Sequence, residues 1–246
     1  MHEPRRTIFV AGVDEAGRGP LAGPVTAATV VFRDGFKHRE INDSKKLSEH
    51  VRSSLYEEIV KNALAYSVVS VGARRIEQLN IRNATELAMR LSSERVSRQL
   101  EKLFPEAALR LLLLIDGNMR IRTKHRQETI IKGDAKLQLI GAASILAKVT
   151  RDRLMEEIAG RYAAYRFEVH KGYPTPDHRK TVSEIGPCSV HRRTFAGVRE
   201  YCGVAIEQRV SRSSASTFVA RESSTARESS IVEDEGGTAQ SGGSIS

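Results

Sequence analysis

The sequence predicts an α/β fold, in which a mixed sheet is covered by helices, from the order of its periodic segments. Three runs rich in apolar and β-branched residues come first, and helical patterns then alternate with two further apolar runs. The 246 residues are 40% hydrophobic and 28% charged, which is the balance of an ordinary globular protein. This composition excludes a fibrous or wholly disordered chain.

Five segments have the pattern of strands. Residues 8–13 and 25–32 flank a connection rich in Gly and Pro, which indicates a hairpin-like pair. Residues 65–71 form the third predicted strand. The run 111–115 contains only Leu and Ile, as expected of a strand buried on both faces, and residues 129–131 form the last strand.

Helical patterns fill the intervals between these strands. Ser48 is a typical N-cap for a helix whose apolar residues recur every four positions. A longer helix is predicted from about Asn83 to Pro105, where the proline ends it. A third helix is predicted from about Leu139 to Ile158.

The composition changes after about Cys202, which predicts a folded domain over residues 1–202 and a disordered tail over residues 203–246. Residues 210–246 contain 11 Ser, 3 Thr and 4 Gly, too polar a mixture to bury a core. The chain has a net charge of +9, whereas the tail carries 4 Arg and 6 acidic residues. The positive charge therefore belongs to the domain and predicts a polyanionic partner such as nucleic acid.

The sequence predicts a cytoplasmic protein with no membrane association. No run approaches the length needed to cross a bilayer, and the N-terminus has neither an apolar signal core nor a small-residue cleavage site. We expect a monomer.

Four acidic residues follow predicted strands: Asp14 and Glu15, Asp116, and Asp134. A single Asp beside Gly is more often a turn or cap residue, but four carboxylates at strand ends of a basic domain favour a hard divalent cation such as Mg²⁺ or Mn²⁺. Asp14 and Glu15 point to opposite faces of a regular strand, so both reach one ion only if the strand ends or twists there.

The sequence around these carboxylates resembles the ribonuclease HII family over about residues 8–198. The long first and fifth blocks make the resemblance specific, and the tail has no counterpart in the family pattern. The matching blocks are 12–24 (GVDEAGRGPLAGP), 42–48 (NDSKKLS), 115–118 (IDGN), 132–134 (KGD), 142–152 (AASILAKVTRD), 170–175 (HKGYPT) and 191–195 (HRRTF).

The resemblance implies an RNase H-like fold, with a mixed five-stranded sheet flanked by helices and a helical C-terminal part. It implies hydrolysis of the RNA strand of RNA–DNA hybrids. It also implies incision 5′ of single ribonucleotides embedded in duplex DNA, leaving a 5′-phosphate and a 3′-hydroxyl. Asp14, Glu15, Asp116 and Asp134 match the family's catalytic carboxylates, which hold Mn²⁺ or Mg²⁺.

The resemblance also implies how the substrate is bound. Gly17, Arg18 and Gly19 match positions that lie against the scissile ribonucleotide, where backbone groups meet its 2′-hydroxyl. Tyr173 matches the tyrosine that packs on the sugar of the next nucleotide and contacts the 2′-hydroxyl. Without the resemblance, both segments would be interpreted as ordinary Gly-Pro turns.

Two sets of basic residues have more than one interpretation. Lys45 and Lys46 lie between a turn and a helix, where they contact a phosphate or belong to a solvated face. A late cluster indicates phosphate contacts or proton transfer at product release, whereas its spacing disfavours zinc. The cluster consists of His170, His178, His191, Arg192 and Arg193.

Two other functions stay open at the level of the sequence. A non-catalytic protein that binds hybrids would keep the fold, although all four acidic positions are filled. Another RNase H-fold enzyme is the second alternative. The HIII type carries an N-terminal substrate-binding domain, for which we expect no room in the 13 residues before Asp14, and the HI type lacks the adjacent Asp-Glu pair. The sequence identifies no protein partner such as a replication clamp.

Overall fold

A mixed sheet forms the centre of the computed structural model, which describes residues 6–41, 47–105, 108–203 and 229–232. The strand order is β5-β4-β1-β2-β3-β6. β1 lies parallel to β4 and antiparallel to β2, so the first five strands confirm the mixed five-stranded sheet. The strands are β1 (Arg6–Ala16), β2 (Val25–Phe32), β3 (Ala63–Val71), β4 (Ala108–Asp116), β5 (Arg126–Ile130) and β6 (Ser229–Val232).

In the part of the chain that the structure describes, six α-helices accompany the sheet. The predicted cap at Ser48 is confirmed, since its hydroxyl accepts a hydrogen bond from the Val51 N–H at 3.3 Å and α1 begins at the next residue. The predicted helix from about Leu139 corresponds to α4. The helices are α1 (Glu49–Asn62), α2 (Ala73–Leu103), α3 (Gly133–Lys136), α4 (Gln138–Arg161), α5 (Phe167–His170) and α6 (Pro176–Ile185).

Helix α2 begins ten residues before its predicted start near Asn83. Asn80 interrupts it with φ 65° and ψ 163°, and the Asn80 side-chain oxygen accepts a hydrogen bond from the Asn83 N–H at 3.0 Å. Asn80 thus caps a second helical segment inside one continuous element. The sequence pattern located this second segment and missed the first.

Helices cover both faces of the sheet. On β2, Ala27 and Val31 belong to the core beneath α2, whereas Ala28 and Val30 belong to the core beneath α1 and α4. Burial on both faces explains why the strands are apolar at successive positions. A third cluster, which includes Phe167, joins α4 to the later helices and confirms the helical C-terminal part.

Helix α4 approaches β1 with no side chain between their backbones at Gly12. A Cβ atom on Gly12 would lie 2.1 Å from the Leu139 carbonyl oxygen, so the helix could not start there beside any other residue. This contact places the beginning of α4 against the strand that carries Asp14.

Five residues of the predicted disordered tail are described: Gly203, and Ser229–Val232, which form β6 alongside β3 at the edge of the sheet. This short strand differs from the prediction at those residues, and the remaining residues of the tail, from 204 onward, lie outside the described ones. The domain boundary at residue 202 stays a prediction. None of the helices in the described ranges combines the length and apolarity that crossing a bilayer requires.

Candidate active site

The register of the sheet brings two of the predicted carboxylates side by side. Val13 of β1 pairs with Ile115 of β4 in parallel, so Asp14 and Asp116 follow at the same end of neighbouring strands. Asp134 lies in α3, which follows β5 directly. Since Ile130, the last residue of β5, pairs with Asp116 of β4, α3 begins at the same end of the sheet. Carboxylates from distant parts of the sequence therefore lie near the same end of the sheet.

Strand β1 does not end before the Asp14-Glu15 pair. It stays paired with β2 through Ala16, while its pairing with β4 stops at Val13. Both carboxylates nevertheless line one cleft of about 420 Å³. At this pair, β1 therefore keeps β2 as a neighbour but no longer pairs with β4, which leaves space beside β1.

This cleft brings together six of the predicted site residues. It does not include Gly19 or Asp134, and Lys45 and Lys46 lie outside the described residues. The lining residues are Asp14, Glu15, Ala16, Gly17, Arg18, Arg52, Asp116, Ser144, Lys148 and Tyr173.

The cleft concentrates negative charge in a buried place. Burial, followed by repulsion from Glu15 and Asp116, raises the pKa of Asp14 well above its ordinary value, although a hydrogen bond from Ser144 opposes this. Burial also raises the pKa of Glu15, against the attraction of Arg18, whose guanidinium lies 3.2 Å from its carboxylate. Such a set of carboxylates favours a bound cation.

Backbone N–H groups hold the other two carboxylates. The Gly133 N–H donates to Asp116 Oδ1 at 2.7 Å, and the Ala135 N–H donates to Asp134 Oδ1 at 3.0 Å. Asp134 is only 3% exposed. Within the described ranges, no three His, Cys, Asp or Glu side chains are already grouped as metal ligands. The four carboxylates therefore lie around the end of the sheet without meeting at one point.

Glycine is required at Gly17, at the beginning of the loop that follows the carboxylate pair. Its φ is +91°, and a Cβ there would lie 2.0 Å from Arg151 Nε and 2.8 Å from the Pro24 carbonyl oxygen. At Gly19, by contrast, a Cβ would meet nothing within 4 Å. The two glycines of this predicted substrate loop thus have different structural requirements.

Tyr173 also lines the cleft and is 41% exposed. Its ring centre is 5.8 Å from Lys148 Nζ and 5.7 Å from the Arg151 guanidinium carbon, within the range of cation–π attraction. Lys148, which pairs with Asp152 at 2.7 Å, and the buried Arg151 therefore flank an aromatic ring that is open to solvent and suited to pack on a sugar.

Sequence analysis missed the contribution of α4 to this cleft. Ser144 and Lys148 line the cleft and are spaced at i and i+4, so they share one face of the helix, and the buried Arg151 follows at i+7 on the same face. A polar stripe on an otherwise apolar helix was the signal that could have found them. Arg52 of α1, which also lines the cleft, has no such signal.

The hypothesis of phosphate contacts is wrong for three members of the late basic cluster. His178, His191 and Arg192 are all 0% exposed. Arg192 donates to backbone carbonyls instead, including that of Gly17 at 2.6 Å. These residues are buried and hold the backbone of residues that line the cleft, so they do not reach a substrate.

A larger cleft, of about 840 Å³, lies between α2 and the segment before β5. None of the predicted site residues that the structure describes lines it. Its basic side chains are partly neutralised by ion pairs, Arg90 with Glu94 at 2.8 Å and Lys124 with Glu101 at 4.0 Å. Size alone therefore does not identify the functional site.

Comparisons with known proteins agree with this geometry. A family model described as ribonuclease HII matches residues 11–198. The ribonuclease HII of Burkholderia pseudomallei (strain 668) is 49% identical over 192 residues, which cover 78% of this chain and 85% of that protein.

Solved structures give the same result. The ribonuclease H2 of Pyrococcus horikoshii OT3 has a TM-score of 0.61 at 26% identity and covers 78% of this chain and 96% of its own. The RNase HII of Archaeoglobus fulgidus, solved as a complex with PCNA, has a TM-score of 0.59 at 28% identity, with 76% and 95% covered. Fold, sequence and the carboxylate-lined cleft agree, and this chain belongs to the ribonuclease HII family, as a ribonuclease H-type hydrolase.

Proposed function

We propose that this protein hydrolyses the RNA strand of RNA–DNA hybrids and incises duplex DNA on the 5′ side of single ribonucleotides. The products are a 5′-phosphate and a 3′-hydroxyl. One observation carries the proposal: Asp14, Glu15 and Asp116 line the same cleft as the Gly17 loop and Tyr173. Carboxylates suited to metal-assisted hydrolysis thus lie beside groups suited to contact a ribose.

The carboxylates fit a hard divalent cation, Mn²⁺ or Mg²⁺. All their donor atoms are oxygens, and the raised pKa values of Asp14 and Glu15, caused first by burial, show that their negative charge lacks sufficient compensation. We assign Asp14, Glu15, Asp116 and Asp134 as the residues that hold the metal. When bound, the metal supplies an activated water and stabilises charge on the leaving oxygen.

The residues of the chain bind and orient the substrate. Arg18 and Lys148 line the same cleft as the carboxylates, paired with Glu15 at 3.2 Å and Asp152 at 2.7 Å, and their positive charge attracts the phosphates next to the scissile bond. The Tyr173 ring packs on a sugar, and its hydroxyl contacts the 2′-hydroxyl, the group that distinguishes RNA from DNA. Gly17 and Gly19 let the loop backbone approach the ribonucleotide closely.

Further substrate contacts are assigned to Lys45 and Lys46, as phosphate-binding residues before α1. Arg52, near the start of α1, lines the cleft. Basic residues at this point of the sequence suit the charge of a nucleic-acid duplex. The monomeric state and the cytoplasmic location stay predictions.

The deciding experiment uses a labelled DNA duplex that contains one ribonucleotide, with Mg²⁺, with Mn²⁺ and with a chelator. We expect metal-dependent incision immediately 5′ of the ribonucleotide, and none in the chelator. Cleavage restricted to longer RNA stretches would contradict the proposed specificity but keep hybrid hydrolysis. Binding of the duplex without any cleavage would contradict the proposed catalytic role of the carboxylates.

A further inference from the structure

The two substrate-contacting sides of the cleft, the Gly17–Gly19 loop and Tyr173, are far apart in sequence, yet both connect to one buried dipeptide. His191 and Arg192 are each 0% exposed. Their backbone is fixed to the segment after β1, because the Arg192 N–H donates to the Leu21 carbonyl at 2.8 Å. His191 also forms an antiparallel bridge with Ala22. The dipeptide therefore cannot move independently of that segment.

The side chain of Arg192 fixes the shape of the loop. Its guanidinium donates to the carbonyls of Gly17 at 2.6 Å and Arg18 at 3.0 Å. It also binds the carbonyls of Pro20, Gly23 and Pro24. No described charged side chain accepts from this guanidinium, and its bonds all go to backbone carbonyls.

These bonds also set the direction of the loop's N–H groups. The described chain has no cis peptide bonds, so each N–H points away from the carbonyl of the same peptide unit. Because the carbonyls of Gly17 and Arg18 point towards Arg192, the N–H groups of Arg18 and Gly19 point away from it. Arg192 thereby leaves two backbone donors on the outer side of the loop, available to a substrate oxygen.

His191 connects to Tyr173 through His178. The Cys188 N–H donates to His191 Nδ1 at 3.0 Å, which leaves the proton of a neutral His191 on Nε2. That Nε2 lies 3.0 Å from His178 Nε2 and donates to it. The proton of His178 is then on Nδ1, which donates to the Tyr173 carbonyl at 2.9 Å.

Each hydrogen bond in this chain determines the next, because a neutral imidazole has one donor and one acceptor. Burial keeps both rings neutral at physiological pH, since it lowers the pKa of His178 to about 4 and that of His191 to about 3. His170, which stacks on His178 with ring centres 4.3 Å apart, restricts its rotation. The bond from His178 therefore adds a side-chain anchor to the Tyr173 backbone, whose N–H donates to the His170 carbonyl and whose carbonyl also accepts from the Thr175 N–H, both at 2.8 Å.

We propose that the buried His191–Arg192 dipeptide is a positioning element that sets the gap between the Gly17–Gly19 loop and Tyr173, and thereby the selectivity for an isolated ribonucleotide. The inference rests on the proposed function, in which these two sides contact the same ribose and its neighbour. His191 acts on Tyr173 through His178, and Arg192 acts on the loop directly. Neither residue touches the substrate.

Two variants of His191 separate positioning from simple packing. In His191→Gln, the amide nitrogen takes the place of Nε2 and still donates to His178, whereas in His191→Asn the amide is too short to do so. We expect His191→Asn to lower kcat/KM on the single-ribonucleotide duplex about tenfold relative to that on an all-RNA hybrid, the effect of misplacing one hydrogen-bonding group. His191→Gln should restore the ratio. Equal losses on both substrates would overturn the proposal.

A double-mutant cycle with Tyr173→Ala tests the route of the effect. Once the tyrosine ring is absent, His191→Asn should cost nothing further on the single-ribonucleotide duplex, whereas Arg192→Lys should still reduce its cleavage because it acts on the loop. Additive losses for His191→Asn and Tyr173→Ala would overturn the role assigned to His191. An Arg192→Lys variant that folds and cleaves like the wild type would overturn the role assigned to Arg192.

A measurement on the wild-type protein needs neither activity nor a variant that folds. Imidazole ¹⁵N spectra at neutral pH should show the proton of His191 on Nε2 and that of His178 on Nδ1. A proton on Nε2 of His178 would overturn the hydrogen-bond chain. If the enzyme never cleaves the single-ribonucleotide duplex, the proposed function fails separately, and a shift of the Tyr173 amide signal in His191→Asn still decides whether the dipeptide positions Tyr173.

Discussion

Gly133 donates its backbone N–H to Oδ1 of Asp116 over 2.7 Å, and this bond ties the end of β4 to the start of α3. A Cβ on Gly133 would lie 2.5 Å from Ile140 Cδ1 and 3.3 Å from the same Asp116 oxygen, so the approach depends on glycine. The next residue is Asp134. One hydrogen bond therefore orients one carboxylate and locates the segment that carries another.

Replacing Asp14 should raise stability and abolish activity. Burial, with repulsion from Glu15 and Asp116 next, raises the pKa of Asp14, so its charge opposes folding at neutral pH. We expect Asp14→Asn to raise the melting temperature in a chelator by a few degrees. Cleavage should fall at least about a hundredfold.

The matching control for Asp14→Asn is the effect of Mn²⁺ on thermal unfolding. The wild type should be stabilised as the ion binds the folded state, and the variant should gain much less. A variant that is less stable than the wild type in chelator, or that keeps its activity, would contradict the assignment of Asp14.

Gly17 and Gly19 should respond differently to the same substitution. Gly17→Ala combines a positive φ with close contacts to Arg151 and Pro24, and should cost about 2 kcal/mol or more in the free energy of unfolding. Gly19→Ala has open space and should change stability by less than about 0.5 kcal/mol. Denaturant unfolding of both variants measures this difference.

Activity then separates the two roles of the loop. If the loop contacts the ribonucleotide as proposed, Gly19→Ala should reduce cleavage although its stability is unchanged, because the methyl group lies on the open side of the loop. Full activity of a stable Gly19→Ala protein would show that the substrate does not approach this position.

The buried histidines predict how stability depends on pH. Burial lowers the pKa of His178 to about 4 and of His191 to about 3, below the value of 6.5 for a free histidine. Between these values the unfolded chain binds more protons, so stability should fall as the pH decreases from about 6.5 to 4, by up to about 1.4 kcal/mol per pH unit for each histidine.

The comparison of wild type with His191→Gln isolates this contribution. The raised pKa of Asp14 acts in the opposite direction as the pH falls, and it is common to both proteins. In the variant, the slope of the unfolding free energy against pH should therefore decrease by the contribution of one proton, about 1.4 kcal/mol per pH unit. Identical slopes would show that His191 is not held neutral in the fold.

Removal of the tail tests the predicted domain boundary. A chain that ends at residue 202 should keep its activity and nearly its melting temperature, because only Ser229–Val232 of the tail has a described contact with the domain, beside β3. Cleavage and thermal unfolding of the shortened chain measure this. A large loss of either would show that the tail is part of the functional unit.

The parts of the structure that depend on local patterns could be predicted from the sequence. The strands and most helices follow from apolar periodicity, and the carboxylates stood out because they follow apolar strands. Asn80 shows the limit of that approach. This one non-helical residue interrupts the apolar periodicity of α2, and for that reason the prediction missed the helical turns from Ala73 to Asn80.

The supporting side of the cleft could not be predicted in this way. Arg192 and His191 look like surface residues in a basic cluster, and their burial depends on carbonyls at Gly17 to Pro24 and on His178. Such contacts join distant parts of the chain and leave no periodic trace. Ser144 and Lys148 were within reach, because helical spacing alone places them on one face of α4.

The pairing of β1 with β4 has a consequence for the order in which the protein is made. Asp14 is synthesised early, but its neighbour Asp116 is reached only after α1, β3 and α2, and Tyr173 and His191 come later still. Contacts of such long sequence separation form slowly. During synthesis, β1 cannot pair with β4 until β4 has been made. A partly made chain therefore has carboxylates but no complete cleft, so nuclease activity arises only when the whole domain has left the ribosome.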